Sequence, residues 1–399
     1  MRVCLLSEAP VNRTHGTGCL LLRLLADGGA DVCNIHPAAG PGAAASALPS
    51  FQAERRPRPG ANFFRRVDAL SRRVFGRSVV PVSAKLDCFR LEPGAAEALI
   101  AADIIVAVVY SVDGLSFVRD ALKDIASPAP LLLWFLDCEI GDMRVPSDID
   151  GFLRRRTTEV WACNECIRQT IAAALPWTDL VSSVKFHLGV ELPHDWRRES
   201  AAGDCIMIGN FWNVRLAPLL GRAWSLLRGR DPSCGPLSWH GAAEAPARLE
   251  RQNASAGPDI VYRGYAPKLD PVLGHARAAL VPFSTACHRG AYSQHSFPSR
   301  IADYCAHGLP VFALADNDSL ASKFILKHGI GVACDSDDPA VLAGALHEFL
   351  ADDVSLREQS VRAREAAERL FDINQVRPAF IRDLESLAQG KPEAQPAHF

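Results

Sequence analysis

HSFPSRIADYCAHGLPVFA, from His295 to Ala313, holds four structural signals in nineteen residues. It reads as a loop, a helix of about two to three turns, a tight turn and a buried strand. Ser296 has the chemistry of an N-cap. Pro298 fits a first helical turn, where its missing N–H would be unpaired in any case. Ile301, Tyr304 and Cys305 fall at i, i+3 and i+4 and so share one face. Gly308 supplies a left-handed C-cap, Pro310 closes the turn, and Val311–Leu314 is an apolar strand. Ser299, Arg300 and Asp303 collect at the start of the helix, on the side away from the strand. A helix N-terminus with an arginine beside it attracts anions, and a carboxylate one turn further on accepts sugar hydroxyls.

Outward from this stretch, strands and helices alternate in two series. In the first, Arg2–Ser7, Asp31–His36, Ile104–Tyr110, Leu131–Asp137 and Glu159–Cys163 read as strands, with helices over Gly18–Asp27, Phe117–Ile125 and Glu165–Leu175. The near-continuous apolar runs are those of parallel strands buried on both faces. Lys185–Glu199 carries a Gly, a Pro and a charged tail, and reads as a linker. A second series follows, with strands at Asp204–Gly209, Pro236–His240, Asp259–Tyr262, Ala279–Pro282 and Leu309–Leu314. Its helices are Arg215–Leu227, Ala340–Leu350 and Val354–Leu370. Two such series predict an α/β protein of two doubly wound domains facing a central cleft. The expected bounds are 1–190, 191–375, and a terminal helix and tail over 376–399 that packs back or is disordered at its end.

The length of 399 residues suits two domains, and 48% hydrophobic with 22% charged residues is the balance of a soluble globular chain. A formal charge of −2 argues against nucleic acid as a partner. The longest apolar run, Ala98–Val112, carries Asp103 and is too short to span a bilayer. MRVCLLSEAP reads as a first strand rather than a signal peptide. Of twelve cysteines, Cys4, Cys33, Cys205 and Cys334 sit in strand-like apolar runs, where a thiol packs as a small hydrophobe. A reducing cytoplasm is the simpler setting. Cys163 and Cys166 form one C-x-x-C with no second pair at zinc spacing, and Asn164 between them reads as a helix N-cap.

With these residues in place, the chain resembles the GT-B glycosyltransferases, most closely family 4 of the retaining enzymes. In that family a short helix carrying a glutamate leads into a Gly-x-Pro-Val turn. Asp303, Gly308, Leu309, Pro310 and Val311 match it, and Pro298, Ser299 and Arg300 match a Pro-Ser-Lys found before the helix. VYRGYAPKLDPVLGHARAALVPF (Val261–Phe283) and HGIGVAC (His328–Cys334) are similar to the flanking strands. SEAPVNRTHGTGCLLLRLL (Ser7–Leu25), ADIIVAVVYSVDGLSF (Ala102–Phe117) with LLLWFLD (Leu131–Asp137), and FHLGVEL (Phe186–Leu192) resemble a subgroup of exopolysaccharide (colanic-acid-type) synthesis. The resemblance implies two Rossmann-like domains, an N-terminal acceptor side and a C-terminal side that binds a nucleotide-sugar donor.

It also implies roles for residues. The family's phosphate-binding Arg and Lys fall at Asn210 and Arg215. Asn210 supplies no charge, so Arg300 and Arg289 become the further cations for the diphosphate. Asp303 would accept ribose hydroxyls. His295 stands where the family has its other glutamate, which contacts the transferred sugar or assists transfer, and is the catalytic candidate with Asp137; Gln294 or Ser296 taking over is the alternative, and Ser296 and Phe297 count among the donor-binding residues. In the N-terminal half, Gly16 and Gly18 let backbone approach a ligand, and Asp137 would touch the acceptor. The reaction implied is sugar transfer with retention to a glycan or lipid-linked acceptor, in the cytoplasm or at the inner face of its membrane. No cofactor and no metal are expected, since no DxD run ends a strand. Two alternatives stay open: a nucleotide-sugar epimerase of the same architecture, and a non-catalytic binding or scaffold protein. Finally, Glu54–Arg77 has eight arginines against two acids, with Phe63, Val67, Leu70 and Val74 on one helical face. That is the pattern of a helix on an anionic membrane surface, or of a solvated face over the protein's own core.

Overall fold

A computed structural model describes residues 1–12, 16–25, 29–38, 45–57, 63–67, 86–137, 145–194, 196, 203–211, 213–288 and 293–390. The chain divides into two compact units. The first comprises Met1–His187 and the chain from Arg377 onward, and the second is Leu188–Val376.

The first unit is built on β1 (Arg2–Ser7), α1 (Gly16–Leu25), β2 (Asp31–Pro37), β3 (Ser50–Pro57), α2 (described over 63–67), β4 (Asp87–Leu91), α3 (Ala95–Ala101), β5 (Ile104–Val108) and α4 (Val112–Leu122). There follow β6 (Leu131–Phe135), α5 (Ser147–Arg156), β7 (Thr157–Ala162), α6 (Glu165–Ala174), a 3₁₀ turn (Pro176–Leu180) and β8 (Ser182–Val184). Among the described residues its sheet has eight strands in the order β4-β3-β2-β1-β5-β6-β7-β8. Every pairing is parallel except β3 with β4. All five residues of β5 and of β6 are buried, because helices cover both faces of a parallel sheet.

The second unit contains β9 (Cys205–Ile208), α7 (Leu216–Arg230), β10 (Leu237–His240), α8 (Ala245–Arg251), β11 (Ile260–Gly264), α9 (Asp270–Leu273), β12 (Ala278–Pro282), α10 (Arg300–Ala306) and β13 (Val311–Leu314). It continues with α11 (Leu320–His328), β14 (Gly331–Cys334), α12 (Pro339–Ala351) and α13 (Asp353–Leu370). Its sheet runs β11-β10-β9-β12-β13-β14 and is parallel throughout. In both sheets the first strand is flanked by strands reached in opposite directions, β2 and β5 for β1, and β10 and β12 for β9. Strand order reverses there, and ligands of such sheets bind outside the carboxyl ends at that point.

Two expectations are corrected. Helix α10 begins at Arg300, not near Ser296, and has seven residues. Ser299 is already helical and makes no side-chain cap; the first turn closes instead through Ile301 N–H to Pro298 O (2.9 Å) and Ala302 N–H to Ser299 O (3.0 Å). Within Glu54–Arg77, Glu54–Pro57 are strand, since β3 is hydrogen-bonded between β2 and β4 and tertiary pairing overrides the helical pattern. Residues 63–67 are helical, and 58–62 and 68–77 lie outside the described residues. The boundary between the units, His187/Leu188, falls inside the linker read at Lys185–Glu199, and beyond it the chain is tied down. Val190 N–H donates to Phe371 O (2.7 Å) and Ile373 N–H to Val190 O (3.0 Å). A Cβ on Gly189 would fall 2.4 Å from the Ile373 side chain.

Helix α14 (Ile373–Ala388) carries Phe380 into the first unit. Phe380 is fully buried, with ring centroids 5.3 Å from Trp134 and 5.2 Å from His187. Next to it, Lys185 Nζ donates to Asp383 Oδ2 at 3.1 Å, and His187 Nε2 lies 3.1 Å from the same oxygen. Arg377 Nε donates to Arg23 O at 2.7 Å, at the end of α1.

Candidate functional site

At the carboxyl end of β9 the backbone turns through Gly209 at φ +87°. Its N–H donates to His240 O (2.7 Å) and its carbonyl accepts from Trp239 Nε1 (2.7 Å). Arg300, the first residue of α10, lays its guanidinium against Gly209. A Cβ there would lie 2.9 Å from Nη2 and 3.0 Å from Cζ. Nη2 donates to Asn210 O at 3.2 Å, whereas Nη1 is buried with no hydrogen-bond partner. Burial pushes the Arg300 pKa down, partly offset by Tyr304 and Asp303. Asn210 Oδ1 and, past the end of β12, Ser284 Oγ are also buried without a partner. Buried polar atoms are almost always hydrogen-bonded. Of the three, only Arg300 Nη1 is a cationic donor; Asn210 Oδ1 is an acceptor and Ser284 Oγ a hydroxyl, and they lie at the start of α10, after β9 and after β12, where strand order reverses.

Helix α10 is knitted into this edge from both ends. The Tyr304 hydroxyl accepts from Ile208 N–H (2.7 Å) on β9 and reaches Leu280 O (3.4 Å) on β12. The C-terminal carbonyls, which a helix leaves unpaired, are taken one by one. His307 Nδ1 meets Asp303 O (2.8 Å), Arg364 Nη1 donates to Ala306 O (2.7 Å), Trp196 Nε1 to His307 O (3.0 Å) and Ser360 Oγ to Gly308 O (2.6 Å). The C-cap is His307, and Gly308, the residue after it, has φ +58°; a Cβ there would fall 2.5 Å from the Trp196 ring. The guanidinium of Arg364 also lies over the Trp196 ring at 5.7 Å.

The other residues expected at the site are placed as follows. Asp303 is half-buried on α10, Ser299 is half-buried directly before it, and Ser296 is buried three residues further back. His295 is half-buried in the turn preceding the helix. Phe297 directs its ring to Phe324 and Phe371, with centroids 4.9 and 6.2 Å away. Arg215 is exposed at the N-terminus of the fifteen-residue α7. Arg289 lies outside the described residues.

In the first unit, Gly16 opens α1. A Cβ on Gly18 would fall 2.1 Å from Asn12 O, so the close approach there is made by the chain's own loop. Asp137 lies two residues beyond β6, close enough to help raise the Tyr110 pKa, which burial chiefly elevates. Tyr110 donates to Thr17 Oγ1 at 2.6 Å. The acid that sequence reasoning passed over is Glu8, one residue past β1. It accepts from Tyr110 N–H (2.7 Å), Ser111 N–H (3.1 Å) and Ser111 Oγ (2.8 Å), and so caps the entry to α4. Burial raises its pKa against those hydrogen bonds. Its position directly after a first strand was the available signal, as it was for Gly209 after β9.

Among the described residues no His, Cys, Asp and Glu cluster could hold a metal ion. The described cysteines are all thiols. In the C-x-x-C, Asn164 Oδ1 accepts from Ile167 N–H (2.9 Å) as the N-cap of α6.

Two α/β units with parallel sheets of this order define the fold of the GT-B glycosyltransferases. The chain is similar to Anabaena HepE in complex with UDP, at 13% identity over 97% of this chain and 100% of that one, with a TM-score of 0.60. It is also similar to a glycosyltransferase from Rickettsia africae (12% identity, 98% and 100% covered, TM-score 0.63) and to sucrose-phosphate synthase from Thermosynechococcus elongatus (15%, 98% and 100%, 0.63). No protein-family model and no curated protein matches the chain.

Proposed function

We propose that the protein is a glycosyltransferase that moves a sugar from a nucleotide-diphosphate donor to a glycan or lipid-linked acceptor. The observation that carries this reading is the buried Arg300 guanidinium. Its Nη1 group is unspent, while Nη2 is held by Asn210 O (3.2 Å), at the switch point of the second sheet. A desolvated cation of this kind gains most from an anion, and a diphosphate supplies one. The fold adds support, since HepE, which shares it, is found with UDP and with UDP-glucose.

In this reading Arg300 carries the charge that builds on the leaving diphosphate, with Arg215 as a second cation at the start of α7. Stabilising charge where it develops is the largest lever on such a step. Asp303 accepts ribose hydroxyls one turn further along α10. His295 contacts the sugar, and Asp137 with the Glu8–Tyr110 edge faces the acceptor. The sugar is transferred with retention and no resident metal takes part, in polysaccharide or glycoconjugate assembly on the cytoplasmic side of a membrane.

The test is thermal stability across a panel of nucleoside diphosphates. One of them should stabilise the chain by about 2.7 kcal/mol at a hundredfold excess over its Kd. Arg300→Met and Asp303→Ala should each abolish the shift. A chain that answers no nucleotide, or an Arg300→Met variant that answers like the parent, overturns the reading. Product analysis with the responding donor then distinguishes acceptor-bound sugar from an epimerised nucleotide sugar.

A further inference from the structure

The second sheet stops pairing early between its two central strands, β9 and β12. β9 pairs with β10 as far as Ile208, opposite His240, and β12 pairs with β13 as far as Pro282, opposite Leu314. Between β9 and β12 the register holds only Ala278 opposite Cys205 and Ala279 opposite Ile206. Ala279 N–H is spent on Pro310 O (2.9 Å), on the side of β13, so Ala278 and Leu280 turn their backbone groups towards β9. The next bond of this ladder would run from Ile208 N–H to Leu280 O. The Tyr304 hydroxyl stands in its place. It accepts from Ile208 N–H at 2.7 Å and lies 3.4 Å from Leu280 O.

A hydroxyl both accepts and donates, so this one replaces a ladder bond without orphaning either backbone group. Tyr304 is fully buried, and its bulk keeps the two strand ends from closing on each other. Arg300 stands one helical turn earlier on α10, on the same face. Its guanidinium lies against Gly209, the residue after β9. Asn210 follows the parted end of β9, and Ser284 follows that of β12. We infer that Tyr304 is a positioning residue: its hydroxyl parts β9 from β12, and so fixes the place of Arg300 and with it the seat of the donor's diphosphate. The inference rests on the reading of that site as a nucleotide-sugar site, and adds what holds it open.

The experiment is Tyr304→Phe, which keeps the ring and removes the hydroxyl. Two quantities are measured: amide hydrogen exchange at Ile208 without ligand, and nucleoside-diphosphate affinity by calorimetry at a temperature where circular dichroism shows both chains folded. Exchange at Ile208 should quicken by about tenfold or more, since its N–H loses its acceptor. Affinity should fall by about tenfold or more, as Arg300 leaves its charge-assisted geometry. The coupling is reciprocal, so a bound nucleoside diphosphate should slow exchange at Ile208 in the parent chain, a result that needs no variant to fold. Exchange unaltered by Tyr304→Phe, or by nucleotide in the parent, overturns the inference. So does a variant that melts earlier yet binds like the parent, because a tyrosine that only stabilises the fold leaves the affinity of the folded chain unchanged. In each of these cases a parent that binds keeps the donor reading. A parent that binds no nucleoside diphosphate overturns the donor reading and the positioning role together.

Discussion

A single methyl group at Gly209 would meet Arg300 at 2.9 Å. The position also holds φ +87°, which costs a residue with a Cβ about 1–2 kcal/mol. The obstacle is the end of a flexible side chain, so in Gly209→Ala the guanidinium moves before the strand does. The expected result is a loss of about 1–2 kcal/mol in urea unfolding with a fall of about tenfold or more in nucleoside-diphosphate affinity by calorimetry, as a misplaced charge forfeits its charge-assisted bond. A variant that unfolds more easily but binds the nucleotide unchanged would detach Gly209 from the site. Arg300 was singled out in the sequence because a cation at a helix start is placed to meet an anion. Gly209 was not, because glycine after a buried strand is common and its partner lies 91 residues away. Ser284 and Glu8 were hidden for the same reason. A polar residue just past a strand is ordinary until the topology shows which strand ends adjoin.

Helix α10 illustrates what periodicity captures and what it leaves out. Its apolar face was readable, and Ile301, Tyr304 and Cys305 are all fully buried. Its start was misplaced, since a serine followed by a proline mimics an N-cap while the backbone closes the turn by itself. Its seat was invisible: Trp196, Ser360 and Arg364 are remote in sequence, and each takes one carbonyl of the last turn. Arg364→Met keeps the stem that packs on Trp196 but leaves Ala306 O without its donor, at a cost of about 1–3 kcal/mol. Because α10 carries both Arg300 and Asp303, nucleotide affinity should fall with it. Arg364→Lys should recover part of that affinity. Equal affinity in parent and Arg364→Met would show that the seat holds the fold and not the site. Segment 54–57 failed in the opposite sense. The helical face was read from Phe63, Val67, Leu70 and Val74, and did not reach residues 54–57, whose place between β2 and β4 made them a strand.

On the scale of the whole molecule, two βα series and their division near the middle were plain in the sequence, because buried parallel strands are written as uninterrupted apolar runs. The return of the chain to the first sheet was less so, since α14 reads as any amphipathic helix until Phe380 meets Trp134. The charged group beside that contact has a defined dependence on pH. Burial works against the Asp383 carboxylate, but the facing His187 and Lys185 outweigh it and hold its pKa below the ordinary 3.8. A depressed carboxylate contributes stability that is present above its unfolded pKa and is lost as pH falls through the folded one. Asp383→Asn leaves Lys185, with 7% of its side chain exposed, without its counter-charge. It should cost about 3–5 kcal/mol at neutral pH, and the difference from the parent in urea unfolding should shrink as pH drops below 3.8. A constant difference across that range would assign the stability to packing alone.

The division of the first unit between two distant stretches also bears on biosynthesis. A ribosome finishes residues 188–376 before it reaches Arg377, so the second unit is complete on the nascent chain while the first still lacks Phe380 and Asp383. Until α14 emerges, Trp134 and Lys185 wait uncovered, an interval in which exposed apolar surface invites aggregation or chaperone capture. The half of the protein translated first is thus the half that matures last.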